Sequence, residues 1–333
     1  MAEYINIRGQ SIEVVASDPA NPTLGQIWYN STSNTLKGQG FQAAAWSTGG
    51  NMGTARQSVA GFGTQTAAIG AGGYTTTEVS TSESYDGTTW TSTPSLPGVK
   101  RGIGNSGAGT QAAGYVVAGY SGTAFLNTTD EWNGSSWSGS GSYPINAIGI
   151  SSMGTQTAGL TGAGEVATPT VRTTVSAEYN GSTWTAGNPI VIGRYGAGKA
   201  GTQTAGLIFA GNMPSPAFLG ATESYDGTSW TTLPATTVTN AQYMSAAGTQ
   251  TAALKAGGEG QPNYASSEIF DGTSWSSISA MPVGKVTAGP AGTTSAGLTF
   301  GGTLPVPQGG AGNTNATFAW NEASPVIKTI TAS

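Results

Sequence analysis

One tripeptide constrains this chain more than any other feature. Gly-Thr-Gln, or Gly-Thr-Thr in its last instance, begins at Gly63, Gly109, Gly154, Gly201, Gly248 and Gly292, so the landmark returns every 44 to 47 residues. A second signature keeps phase with it: an aromatic residue, Asp or Asn, Gly, two small residues and Trp, at Tyr85 to Trp90, Trp132 to Trp137, Tyr179 to Trp184, Tyr225 to Trp230 and Phe270 to Trp275. Such a period means one supersecondary unit stacked on copies of itself. Within a unit, Ser58 to Phe62 reads as a strand, Gly63 to Gln65 as a turn and Thr66 to Gly70 as a second strand. Ser82 to Tyr85 reads as a third, Asp86-Gly87 as a hairpin, and Trp90 lies on a fourth. Four short strands per unit describe a propeller blade.

Composition agrees and narrows the chemistry. Only 11 basic and 16 acidic residues among 333 leave the chain 8% charged, far below the roughly 25% of an ordinary domain, so long charged helices are not expected. A 37% apolar content with 9 Trp and 12 Tyr is core material that a disordered Gly/Ser tract lacks. With no His and no Cys, Ser-His-Asp and Cys-His catalysis, disulfides and nitrogen- or sulfur-ligated zinc are excluded. No metal, cofactor or catalytic residue is expected. A net charge of -5 with scattered cations argues against nucleic acid as a partner. The first ten residues hold no signal-peptide core and no stretch approaches 18 apolar residues, so neither secretion nor membrane insertion is expected.

The repeat resembles the Kelch repeat in its glycine pair after the second strand (Gly72-Gly73, Gly257-Gly258, Gly301-Gly302), a Tyr on the third strand, a Trp on the fourth and a basic residue opening the next unit. The pair reads Ala118-Gly119 and Ala210-Gly211 elsewhere, and the third unit, at Gly162 to Gly164, matches least. The resemblance implies an all-β chain: a six-bladed Kelch-like β-propeller over residues 41–322 with a short N-terminal β extension. Residues 1–40 are expected to form an attachment segment and 323–333 a C-terminal tail. Trp46 stands 44 residues before Trp90, so Phe41 to Ser47 is expected to supply the fourth strand that the last blade lacks and to remove open sheet edges.

Counting back from each Gly-Thr landmark finds Arg56, Arg101, Arg194 and Lys285, with Asn146 and Gln242 near the corresponding places. All six fall at the link into the innermost strand, on the face that also carries the unequal loops Glu165 to Ser176, Asn212 to Ala221 and Thr303 to Thr317. They are the candidate ligand-binding residues, suited to an acidic glycan or a carboxylate-bearing loop. The Trp series is assigned to packing. Glu83, Asp130, Glu178, Glu223 and Glu268 recur beside the third-strand aromatic and are read as structural. Asp and Gly are adjacent in Asp86-Gly87, unlike the Asp-x-Gly-x-x-Trp turn of sialidase-like propellers.

Residues 1–40 lie outside the repeat. Asp18-Pro19, Asn21-Pro22-Thr23 and Gly25 to Ser31 followed by Thr35-Leu36-Lys37 resemble segments that precede varied C-terminal domains in virion structural and tail-fibre-like proteins of tailed, especially marine, phages. That resemblance implies a non-enzymatic virion protein, made in a cytosol and released in a particle. Residues 1–40 would bind other virion proteins through Trp28 and Tyr29, the propeller would bind a host surface glycan or protein, and homo-oligomers are compatible with it. The alternatives are a carbohydrate-active propeller enzyme and a bacterial Kelch-type protein-interaction scaffold.

Overall fold

A computed structural model describes residues 12–330 except 168–169, 213–219, 239–241, 261–263 and 306–311. Six four-stranded antiparallel sheets repeat one plan. The first comprises Ala60–Thr64, Ala67–Ala71, Ser82–Tyr85 and Trp90–Thr93, paired in that order. Equivalent sheets start at Gly107, Ser151, Gly198, Ser245 and Gly289. The first strand of each sheet lies beside that of the next, and the sixth beside the first. This is an all-β, six-bladed β-propeller-like architecture, and the blades are numbered 1 to 6 below.

The landmarks explain how neighbouring blades hold together. Gly63 has φ 106°, and a Cβ there would sit 2.3 Å from the Ala67 carbonyl oxygen, so only glycine fits the turn. The glutamine that follows reaches into the preceding blade. Gln111 Nε2 donates to Ala68 O at 3.3 Å and Tyr85 O at 2.8 Å, and Gln203 Nε2 to Gly159 O and Tyr179 O at 3.1 and 3.0 Å. In blade 6, Thr294 replaces glutamine and its hydroxyl bonds Ala252 O. Asp86 Oδ1 accepts the amides of Thr88 and Thr89 at 2.8 and 2.7 Å, which closes the Asp-Gly hairpin and pulls the carboxyl well below its usual range.

Each fourth-strand tryptophan packs on the third-strand aromatic of its own blade and bonds the blade before. Trp90 stacks on Tyr85 at 4.9 Å and donates to Thr317 Oγ1 at 3.0 Å, and Trp275 donates to Thr222 Oγ1 at 3.0 Å. Blade 2 departs from this: the Trp137 indole nitrogen and the Ser82 hydroxyl are both buried without a partner.

Blade 6 takes its fourth strand from the N-terminal side, Ala45–Thr48, beside Thr317–Asn321. The expected strand Phe41 to Ser47 is therefore shifted, because Phe41 and Gln42 instead pair with Pro325 and Ser324. Residues 1–45 with 322–333 form a separate compact unit. Its sheet runs Glu13–Val15, Ile27–Asn30, Thr35–Gln42 and Ser324–Thr329, so the expected C-terminal tail supplies a strand. Asp18 is the hub of this unit. It accepts from Trp28 Nε1 at 3.0 Å, Asn30 Nδ2 at 2.7 Å and Lys37 Nζ at 2.7 Å, and these bonds, that of Lys37 foremost, hold its carboxyl down to about 2. Trp28 is thus fully buried and spent on the unit's own core, which corrects its expected role as an assembly anchor. Tyr29 is half-buried, its hydroxyl bonding Asn34 Oδ1 at 3.3 Å.

Candidate functional site

The links into the first strands converge on one end of the central channel. In each blade one residue there takes a left-handed conformation: Ser58, Gly102, Gly149, Gly196, Tyr243 and Thr287, with φ between 55° and 71°. These residues bond one another around the channel. Gly149 N donates to Gly102 O, Gly196 N to Gly149 O, Tyr243 N to Gly196 O, Thr287 N to Tyr243 O and Ser58 N to Thr287 O, all at 2.7 to 2.9 Å. The backbone itself narrows the channel at this level.

Blade 2 then plugs it. From the left-handed residue to the landmark glycine is five positions in the other blades but seven from Gly102 to Gly109. The two extra residues let Asn105 reach across the channel, its Nδ2 donating to Ala197 O at 3.0 Å and Met244 O at 2.9 Å, in blades 4 and 5. A void of about 10 Å³ lies beside it.

Outside this ring the sequence is free to vary. The residue before each ring position forms an antiparallel bridge with a residue leaving the second strand: Gln57 with Tyr74, Arg101 with Tyr120, Ile148 with Glu165, Tyr195 with Asn212, Gln242 with Glu259 and Val286 with Thr303. Backbone geometry is six-fold here while the side chains differ from blade to blade, so this wreath is where a specific ligand can be recognised.

Blades 3 to 5 gather the densest polar group of the wreath. The hairpin Glu165–Ala167 and Thr170–Arg172 brings Arg172 back onto Glu165 as an ion pair. Arg172 also donates to Asn212 Oδ1 through Nε and Nη2 at 3.4 and 3.3 Å and lies 4.0 Å above the Tyr195 ring. Tyr195 meets Tyr243 edge to face at 5.3 Å. Tyr243 rests on Gly196, where a Cβ would come within 2.9 Å of its ring, so the small ring residue makes room for the phenol. Burial pushes the Tyr243 phenol well above its usual value. A hydrogen bond with Tyr195 and the charge of Glu259 add to the shift, and Arg172 opposes it. Tyr243 is therefore a proton-bearing donor throughout the physiological range. Beside it, exposed Glu259 accepts from Gln242 Nε2 at 2.8 Å. A smaller group lies in blades 1 and 2, where Arg101 sits between the rings of Tyr74 and Tyr120 at 4.8 and 5.1 Å and pairs with Glu78 at 2.9 Å.

Of the six sequence candidates, Arg101 and Gln242 stand in the wreath, Gln242 buried with its Oε1 unpartnered, and Asn146 is an exposed link residue. The other three are corrected by burial. Arg56 is fully buried, paired with Glu83 and donating to Gly70 O at 3.1 Å. Arg194 pairs with Glu223 and bonds Ala210 O at 3.1 Å. Lys285 bonds Ala316 O and lies 4.4 Å from the Phe318 ring. These cations fasten the first-strand link to the third strand of their own blade. Blade 2 does the same with Lys100 and Asp130 at 2.7 Å, whereas blade 3 has the buried Ala147 and Ala177 there, in one apolar cluster. Sequence counting selected Arg101 in place of Lys100 because of the two-residue insertion. It missed Arg172, Tyr195, Tyr243, Glu165 and Glu259, whose only signal was variability at equivalent positions. Most of the expected loop from Asn212 to Ala221 lies outside the described residues.

No protein-family model matches this chain, and no curated protein does. Among solved structures it is similar to YjhT, with a TM-score of 0.67 at 12% identity, over 83% of this chain and 99% of that one. At this identity the likeness is one of fold. The likeness to YjhT overturns the phage reading and its corollaries of host attachment and receptor binding. The non-enzymatic expectation, drawn also from the absent His and Cys, the unmatched Asp-x-Gly-x-x-Trp turn and the carboxylates that recur once per blade, is corrected with it. Attachment through residues 1–40 and location in a particle lose the same support.

Proposed function

We propose that the chain is a carbohydrate-active enzyme on a closed, six-bladed Kelch-type propeller, acting at the rim formed by Tyr195, Gln242, Tyr243 and Glu259. The observation that carries this is the half-buried Tyr243 phenol set beside the exposed Glu259 carboxylate, on the face where side chains vary and backbone does not. Sugar chemistry asks for this pair: Tyr243 donates a hydrogen bond to an oxygen that gains charge, and Glu259 takes a proton from a hydroxyl or from water. Arg172 is already spent on Glu165 and Asn212, so it positions Tyr195 and leaves substrate contact to the tyrosines and Glu259.

Kelch-type closure is supported by the glycine pairs, by the placement of Ala45–Thr48 in the last sheet, and by Trp46 Nε1 donating to Ser279 O at 3.1 Å. The likeness to YjhT supports the fold on which the reading rests. The test is a screen of purified protein against bacterial surface polysaccharides and their oligosaccharides, read as new reducing ends or altered anomeric composition. Turnover of at least one sugar is expected. A folded protein that leaves every member of the panel unchanged contradicts the reading.

A further inference from the structure

The opposite end of the channel holds a second feature, which the sugar site does not use. There the six landmark glycines, with Phe62, Met153 and Pro290, enclose a cavity of about 150 Å³. Among the described residues Lys199 is the one titratable side chain on its wall. It stands two residues before the landmark glycine, where the other blades have Gly61, Gly107, Ser152, Ala246 and Pro290. A lysine at this level is thus peculiar to blade 4 and is not required by the repeat.

Lys199 shares the lack of a carboxylate with Lys285, which is spent on the Ala316 carbonyl of its own blade, and differs from the other buried cations on the first-strand side. Arg56, Lys100 and Arg194 each face a carboxylate. Lys199 is 9% exposed, and its Nζ donates to the Gly107 carbonyl at 2.8 Å across the channel. Burial alone lowers it to about 8, with no carboxylate contributing. At neutral pH most of it is charged, with two donor positions left and a roomy, polar cavity in front of them. A buried ammonium without a counter-ion favours any small anion that can enter.

We propose that this cavity binds a small oxyanion, of the inorganic phosphate or carboxylate kind, on the Lys199 ammonium. The site lies beyond the Asn105 plug from the sugar rim, so anion binding and sugar turnover are separable. The full chain is titrated with phosphate, with acetate and with chloride as the non-oxyanion control. Binding is followed by calorimetry, and the ε-carbon resonance of Lys199 by pH titration. Phosphate or acetate is expected to bind and to move the Lys199 titration upward, because the anion stabilises the charged amine. Whichever of the two does so identifies the oxyanion. Lys199→Met is expected to lower the affinity about tenfold or more, and Lys199→Arg to retain most of it. Should either variant fail to fold, the resonance titration on the wild-type chain decides alone. A Lys199 titration indifferent to phosphate and acetate, or a response equal to that of chloride, overturns the proposal.

Discussion

Gln65 Nε2 donates to the carbonyl oxygen of Trp320 at 2.6 Å although 255 residues separate them, and to Gly297 O at 3.1 Å. This is the contact between blades 2 and 1, or 4 and 3, repeated between blade 1 and blade 6. Gln65→Ala is expected to leave two part-buried carbonyls without that donor and to cost about 1–3 kcal/mol. Equilibrium urea unfolding measures it. An unchanged midpoint would mean that the blade 1 to blade 6 contact contributes nothing to stability.

The Arg56–Glu83 pair is buried on both sides. Glu83→Gln should strand the guanidinium and cost about 3–5 kcal/mol, whereas Arg56→Met combined with Glu83→Leu should recover most of that loss. Thermal unfolding of the three variants checks the order. Equal destabilisation by single and double changes would mean that the bonds from Gly53 N to Glu83 and from Arg56 to Gly70 O, rather than the ion pair, carry the cost.

Lys285 is pushed down to about 7 by burial and has no carboxylate partner, and Lys199 is lowered to about 8. In the unfolded chain both titrate near 10.4. Above pH 7 the unfolded state therefore binds more protons than the folded one, so stability rises from about pH 7 toward pH 10, by up to about 1.4 kcal/mol per pH unit for each lysine. Above that, buried phenols such as Tyr143, raised to about 12, reverse the trend, because the unfolded tyrosines ionise first. Lys285→Met should flatten the rise. Denaturant midpoints across this range test the sign, and a wild-type stability that falls between pH 7 and 9 would contradict it.

The blades were legible because the landmarks do the same physical work six times. Gly63 and its equivalents need a left-handed turn, Gln65 and its equivalents, Thr294 among them, need carbonyls in the blade before, and Trp90, Trp184, Trp230 and Trp275 need a hydroxyl there, whereas Trp46 takes a carbonyl and Trp137 nothing. The candidate site was not legible, for two reasons. A cation before the first strand reads as surface charge until its carboxylate is known, and the Arg56 partner, Glu83, lies 27 residues away on another strand. Counting from a landmark also assumes equal spacing, and blade 2 breaks it with the residues that carry Asn105. Tyr195, Tyr243 and Glu259 belong to positions whose meaning is their difference from blade to blade, which periodicity discards. The strand Ser324–Thr329 carried no repeat signature at all.

The central claim is that Tyr243 and Glu259 act on sugar together. It is tested most directly by steady-state turnover of the best polysaccharide substrate by wild type, Tyr243→Phe and Glu259→Gln, with thermal unfolding to show that each variant is folded. The account predicts a fall in kcat of about 10²–10⁴-fold for each variant, with the double variant little worse than either single one. Full turnover by both folded variants would contradict it and place any activity elsewhere on the propeller.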